Sequence, residues 1–105
     1  MTKFYEIKHP GLTERQFFKG DSYQDVCMQY VKHLTSCWDY DVIEITIFEV
    51  LKGYNEKTDR YSDDCVHGEY VIFQITHVRN YKVKQKYSSI SEPIKPFKFQ
   101  LRLKD

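Results

Sequence analysis

The stretch Asp41-Val-Ile-Glu-Ile-Thr-Ile-Phe-Glu-Val-Leu51 is the longest apolar-rich, β-branched run in the chain. β-Branched side chains are stiff at χ1 and suit a pleated, half-buried surface, so this run is expected to form a central strand. Side chains alternate between the two faces of a strand. Ile43, Ile45 and Ile47 then share one face, apolar enough to lie under a helix. Val42, Glu44, Thr46, Phe48 and Val50 share the other. A mixed face of this kind calls for partial cover, by a loop, a partner or a second chain.

Upstream, Lys3 to His9 alternates loosely and reads as a short strand ended by the turn His9-Pro10-Gly11. Gln16-Phe17-Phe18-Lys19 reads as a second strand closing a hairpin with the first, and Gly20 is expected to break it. Asp21 or Ser22 then caps a helix of about 22–35, with Asp25 in the place of the usual capping-box Glu or Gln. Tyr23, Cys27, Tyr30 and Leu34 recur at helical spacing, widened by Val26 and Val31, and make one apolar stripe. Gln24, Gln29 and Lys32 lie opposite. Trp38 is expected to roof the junction of helix and sheet.

Downstream, 52–69 is polar and long for a small domain. Two readings are open: a hairpin turn at Asn55–Asp59 with strands extending past the core as a β-arm, or a mobile loop. Tyr70 to Val78 is a strand expected to pair antiparallel with the opening run, since no helix separates them. Tyr81-Lys-Val-Lys-Gln-Lys-Tyr87 alternates, with Tyr81, Val83 and Tyr87 on one face and Lys82, Lys84 and Lys86 on the other. Ser88 to Pro96 is a loop, and Phe97 to Lys104 is the cleanest period-2 strand. The expected fold is a single α+β domain over 1–105: a mostly antiparallel sheet of four to six strands with one amphipathic helix on a face.

A chain of 105 residues supports one modest core, burying somewhat over 60% of the surface its unfolded form exposes. Cys27, Cys37 and Cys65 are an odd, irregularly spaced set, which reads as free thiols in a reducing, cytoplasmic compartment. No secretion signal is read at the start, and no window nears the roughly 20 apolar residues of a membrane span. Net charge is +1. Residues 1–78 carry eight Lys/Arg and thirteen Asp/Glu, a balance of −5; residues 79–105 carry eight and two, a balance of +6. Such asymmetry points to partner binding.

Chemistry is not signalled. Asp63, Cys65 and His67 would share a face if extended, but three such positions span roughly 13 Å, too far for one ion. No Gly-rich phosphate loop, GxSxG or HExxH is present, and the four glycines are dispersed. The expectation is a non-enzymatic protein without metal or cofactor. For partner binding the candidates are Tyr54, Asp59, Tyr61, Asp63 and Asp64 on the acidic segment. For nucleic acid they are Lys82, Lys84, Lys86, Lys98, Arg102 and Lys104, which form one positive face if their strands lie close. Lys on an outer strand also serves to keep sheet edges from pairing. The bipolar charge favours steered docking or head-to-tail self-association as a homodimer.

In general character (compact, rich in Lys, Ile, Tyr and Asp, without enzyme motifs) the chain resembles small accessory proteins of bacteriophages with AT-rich genomes. Many of those bind and inhibit a host factor, sometimes a defence nuclease in the anti-CRISPR manner. The resemblance implies a host-directed inhibitor acting on a host protein or protein–nucleic-acid complex. It rests on no motif and carries over no site residues.

Overall fold

The computed structural model of the chain describes residues 2–34, 42–55, 60–77 and 81–99, with the backbone alone at 33, 34, 42, 54, 55, 60–65, 77, 81 and 99. Six strands and one helix follow in the order β1 (Lys3–Lys8), β2 (Gln16–Gly20), α1 (Tyr23–Leu34), β3 (Val42–Asn55), β4 (Arg60–His77), β5 (Tyr81–Ser88) and β6 (Phe97–Phe99). They form one six-stranded sheet in the order β2-β1-β3-β4-β5-β6, antiparallel at every pairing. The α+β expectation holds, with the opening run as the central strand β3. Trp38 lies outside the described residues.

The helix starts where its capping chemistry puts it. Ser22 Oγ accepts from the Asp25 backbone N–H at 3.1 Å, and Asp25 Oδ2 accepts in return from the Asp21 N–H at 3.2 Å. This satisfies amide donors that a helix start leaves open. β2 ends at Gly20 as expected, with the glycine itself its last, buried residue. A Cβ there would lie 2.6 Å from Asp25 Oδ2 and 2.8 Å from Val26 Cγ2. The glycine lets the strand end meet the helix start. Gln29 Nε2 fastens the same junction by donating to the Lys19 carbonyl at 2.9 Å.

The helix and the sheet enclose one core. Tyr5, Ile7, Ile45, Ile47, Val71, Phe73, Ile75 and Val83 from the strands meet Val26, Cys27, Tyr30 and Val31 from the helix. The expected helical stripe and the Ile45/Ile47 face are therefore the two halves of this core, with Ile43 partly buried at its margin. Burial pushes the Cys27 thiol well up, which disfavours the thiolate and makes it a packing residue. Tyr30 has its hydroxyl satisfied by His9 Nε2. His9 Nδ1 donates to the Pro10 carbonyl at 2.9 Å, so in the neutral ring Nε2 accepts the phenol's proton. Beyond β5, Ile90 and Ile94 also pack on this core. The Ile94 N–H donates to Gln85 Oε1 at 2.6 Å and holds that segment down.

Segment 52–69 takes the β-arm form where it is described. β3 and β4 stay paired out to Tyr54↔Tyr61 and Asn55↔Arg60, past the last helix-covered rung; residues 56–59 lie outside the described residues. The register shifts three times, between Phe48 and Val50, Val50 and Lys52, and Lys52 and Tyr54. Each shift breaks the two-residue period and adds twist. Gly53 sits in the last of them at φ 109°, a backbone state that side-chain-bearing residues rarely adopt. The arm thus lacks the alternation that marks a strand in a sequence.

Candidate functional site

The helix covers one face of the sheet. Among the described residues no helix covers the opposite face, called the open face below, and the strand registers give its layout. One rung carries Phe17, Glu6, Phe48 and Tyr70 across β2, β1, β3 and β4. The next carries Lys8, Thr46, Ile72 and Tyr87 across β1, β3, β4 and β5. Two further rungs carry Glu44, Gln74 and Lys84, then Thr76, Lys82 and Lys98.

At one end of this face stands a buried carboxylate. Glu6 is 0% exposed. Arg15, from the loop after β1, grips it through two parallel bonds, Nη2 to Oε1 at 2.9 Å and Nε to Oε2 at 3.0 Å. His67 Nε2 reaches Oε1 at 2.7 Å from β4. Burial opposes ionisation here, but the Arg15 and His67 hydrogen bonds outweigh it and hold the carboxyl below the usual carboxylate range. His67 in turn stacks on Phe48, with ring centroids 4.7 Å apart and planes 23° apart. Lys8 Nζ lies 5.4 Å from the Phe48 ring centroid, and Arg15 lies 4.9 Å from that of Phe17. This cluster sits at the Phe48 end of the mixed face of β3. A cleft of about 280 Å³ opens beside it, lined in part by Glu6, Lys8, His9, Glu14 and Arg15.

At the other end the face is basic. Lys82 and Lys98 are direct cross-strand neighbours, and Lys84 follows two residues along β5. All three are exposed. Among the described residues no carboxylate pairs with any of them. The two strands therefore do lie together as expected, and three of the six candidate cations form one patch. Lys86 departs from that expectation: its Nζ is 2.6 Å from Glu44 Oε1, which raises its pKa and answers its charge locally. Arg102 and Lys104 lie outside the described residues.

Tyr87 also departs from the expected alternation. β5 carries a one-residue bulge, since Phe73 faces Gln85 while the adjacent Ile72 faces Tyr87. The extra residue shifts the phase of the strand. Tyr87 leaves the side of Val83 and joins the open face, where it is 61% exposed. Its ring centroid is 5.6 Å from Lys86 Nζ.

Of the acidic candidates, Tyr54, Tyr61, Asp63 and Asp64 belong to the arm strands, and only their backbone is described; Asp59 lies outside the described residues. Of Asp63, Cys65 and His67, only His67 has a described side chain, and it bonds Glu6. Among the described residues no three His, Cys, Asp or Glu side chains are grouped to hold a metal ion, and no helix is long and apolar enough to cross a membrane. Glu6, Arg15 and Phe48 carried no site signal in the sequence. They meet from three separate segments, and only the mixed face of β3 hinted that something lay over it.

Comparison of the chain with protein-family models, with curated proteins and with solved structures finds no match.

Proposed function

We propose that this chain is a non-enzymatic binding module of the bacteriophage accessory type, which docks on a host protein or protein–nucleic-acid complex and inhibits it. The observation that supports this reading most directly is the arm of β3 and β4. It runs past the helix-covered core and carries Leu51 at 59% and Val66 at 49% exposure; Val66 pairs with Lys52, and Leu51 lies in the register shift just before that pair. Large apolar side chains held in water on a strand pair that extends past the core suit insertion into a partner. The sequence around them is acidic and tyrosine-bearing, with Tyr54, Tyr61, Asp63 and Asp64 on the same arm. That composition suits an orienting rim around an apolar anchor.

The test is affinity capture from a nuclease-treated bacterial lysate, comparing the natural chain with a Leu51→Asp/Val66→Asp variant whose urea midpoint has been checked. The expected result is one protein retained in stoichiometric amount by the natural chain and lost by the variant. Absence of such a protein, or its equal retention by the variant, overturns the reading.

A further inference from the structure

We infer that the open sheet face is a site for single-stranded nucleic acid, with Lys82, Lys84 and Lys98 taking the backbone and Tyr87 stacking a base. The first support is charge. Like charges directly opposite across a sheet are destabilising, and Lys82↔Lys98 is such a pair. Edge protection does not account for Lys82, because β5 is paired on both sides at that rung, by Thr76 of β4 and Lys98 of β6. An uncompensated cation pair on an interior rung matches a polyanion.

The second support is the sequence of chemistry along the face. From the lysine patch, Lys84 leads to the exposed ring of Tyr87, then to the half-buried rings of Tyr70 and Phe48, then to Lys8 above Phe48. Cations at both ends and aromatic rings between them are what a polynucleotide single strand needs. Phosphates are held by charge, and unpaired bases offer their faces to rings. A duplex hides those faces and gains only the ionic part. Lys82 and Lys84 stand about 7 Å apart by the strand rise. The path crosses from β6 to β1, four strand spacings or roughly 20 Å. That is room for a few nucleotides. Lysine, a point charge without the planar fork of arginine, predominates here, so binding is tolerant of sequence.

The site is distinct from the arm that the proposed function uses, though it fits a target made of protein and nucleic acid together. The experiment measures fluorescence anisotropy of a labelled dT12 strand against the purified chain, with a 12-base-pair duplex and poly-glutamate as competitors. At 50 mM salt dT12 is expected to bind, with the duplex and poly-glutamate competing weakly. Four backbone contacts would lower affinity roughly fiftyfold between 50 and 200 mM salt. Tyr87→Ala is expected to weaken dT12 binding about tenfold, and Lys82→Glu/Lys84→Glu/Lys98→Glu to abolish it, each with an unchanged urea midpoint. No binding at 50 mM salt overturns the proposal. So does duplex or poly-glutamate competing as well as dT12, or a Tyr87→Ala variant that binds like the natural chain. The Leu51→Asp/Val66→Asp variant separates the two surfaces: it is expected to keep dT12 binding in full, and its loss of dT12 would overturn the placement on the sheet face.

Discussion

Glu6 and Arg15 lie nine residues apart in the chain and meet through two parallel hydrogen bonds on the side of the sheet that the helix leaves open. The carboxylate has no water to fall back on. The guanidinium is 36% exposed by side chain and has. Removing the arginine therefore takes two hydrogen bonds from a buried charge. Arg15→Ala is expected to cost about 2 kcal/mol, below the 3–5 kcal/mol typical when a fully buried pair is broken, because one partner is already partly in solvent. Urea unfolding checks this, with the midpoint falling and the slope unchanged.

The same carboxylate makes stability depend on acid. Glu6 ionises more readily in the folded chain than at its ordinary value of 4.5. Its contribution is then present in full above about pH 4.5 and is lost as pH falls through the lower folded value, because the unfolded chain takes up the proton first. Midpoints measured from pH 7 down to pH 3 are expected to drop more steeply for the natural chain than for Glu6→Gln, which lacks the titrating group and starts from a lower plateau.

The junction of β2 with the helix predicts two substitutions of different character. Gly20→Ala drives a methyl into Asp25 Oδ2 and Val26 Cγ2 and is expected to cost roughly 1–3 kcal/mol by overpacking. Ser22→Ala removes the cap's acceptor and is expected to cost about 1 kcal/mol. Because both act on one turn of chain, the double variant should fall short of the sum of the two, which a double-mutant cycle measures.

Cys27 is 0% exposed, and burial holds its thiol in the protonated form. In a chain carrying Cys37→Ser and Cys65→Ser, iodoacetamide at pH 8 is expected to leave Cys27 unmodified for as long as the protein stays folded. In 6 M urea, modification should proceed at the rate of an ordinary thiol. Mass spectrometry of the alkylated chain reads the difference.

Glu44 answers Lys86 on the open face, and both side chains are about 40% exposed. Glu44→Gln is expected to leave the urea midpoint unchanged while releasing one more cation to the lysine patch. If that face holds a single strand, the slope of log affinity against log salt should steepen by about 0.7. Anisotropy titrations at several salt concentrations measure it.

How much of this was legible depended on the range over which each signal acts. The helix was readable because its stripe of Tyr23, Val26, Cys27, Tyr30 and Val31 and its Ser22 cap are local, and the structure keeps both. β3 and β4 were readable as partners because Ile43 to Ile47 and Val71 to Ile75 alternate without interruption and are joined without a helix. The arm is ambiguous in sequence between a paired strand and a loop, because its three register shifts erase the alternation on which a strand is recognised. The approach of Lys82 to Lys98 followed from two alternating runs, although nothing local gave their register. The Glu6–Arg15–His67 cluster was not legible, since the bonds from Glu6 span nine residues to Arg15 and 61 to His67. A carboxylate in an alternating strand looks the same in sequence whether water or a guanidinium answers it.

The bulge in β5 acts on the chain as a change of reading frame. Before it, odd-numbered residues look toward the helix and even-numbered ones toward the open face; after it the parities exchange, and Tyr87 comes out beside Lys86. A regular strand never sets two successive side chains on one surface. Here a single inserted position makes a cation and an aromatic ring sequence neighbours on the same side. Deleting Lys86 would restore the alternation and leave the ring opposite Ile72 on the open face, without its cation neighbour. The exposed ring of Tyr87 is thus a product of phase as much as of composition.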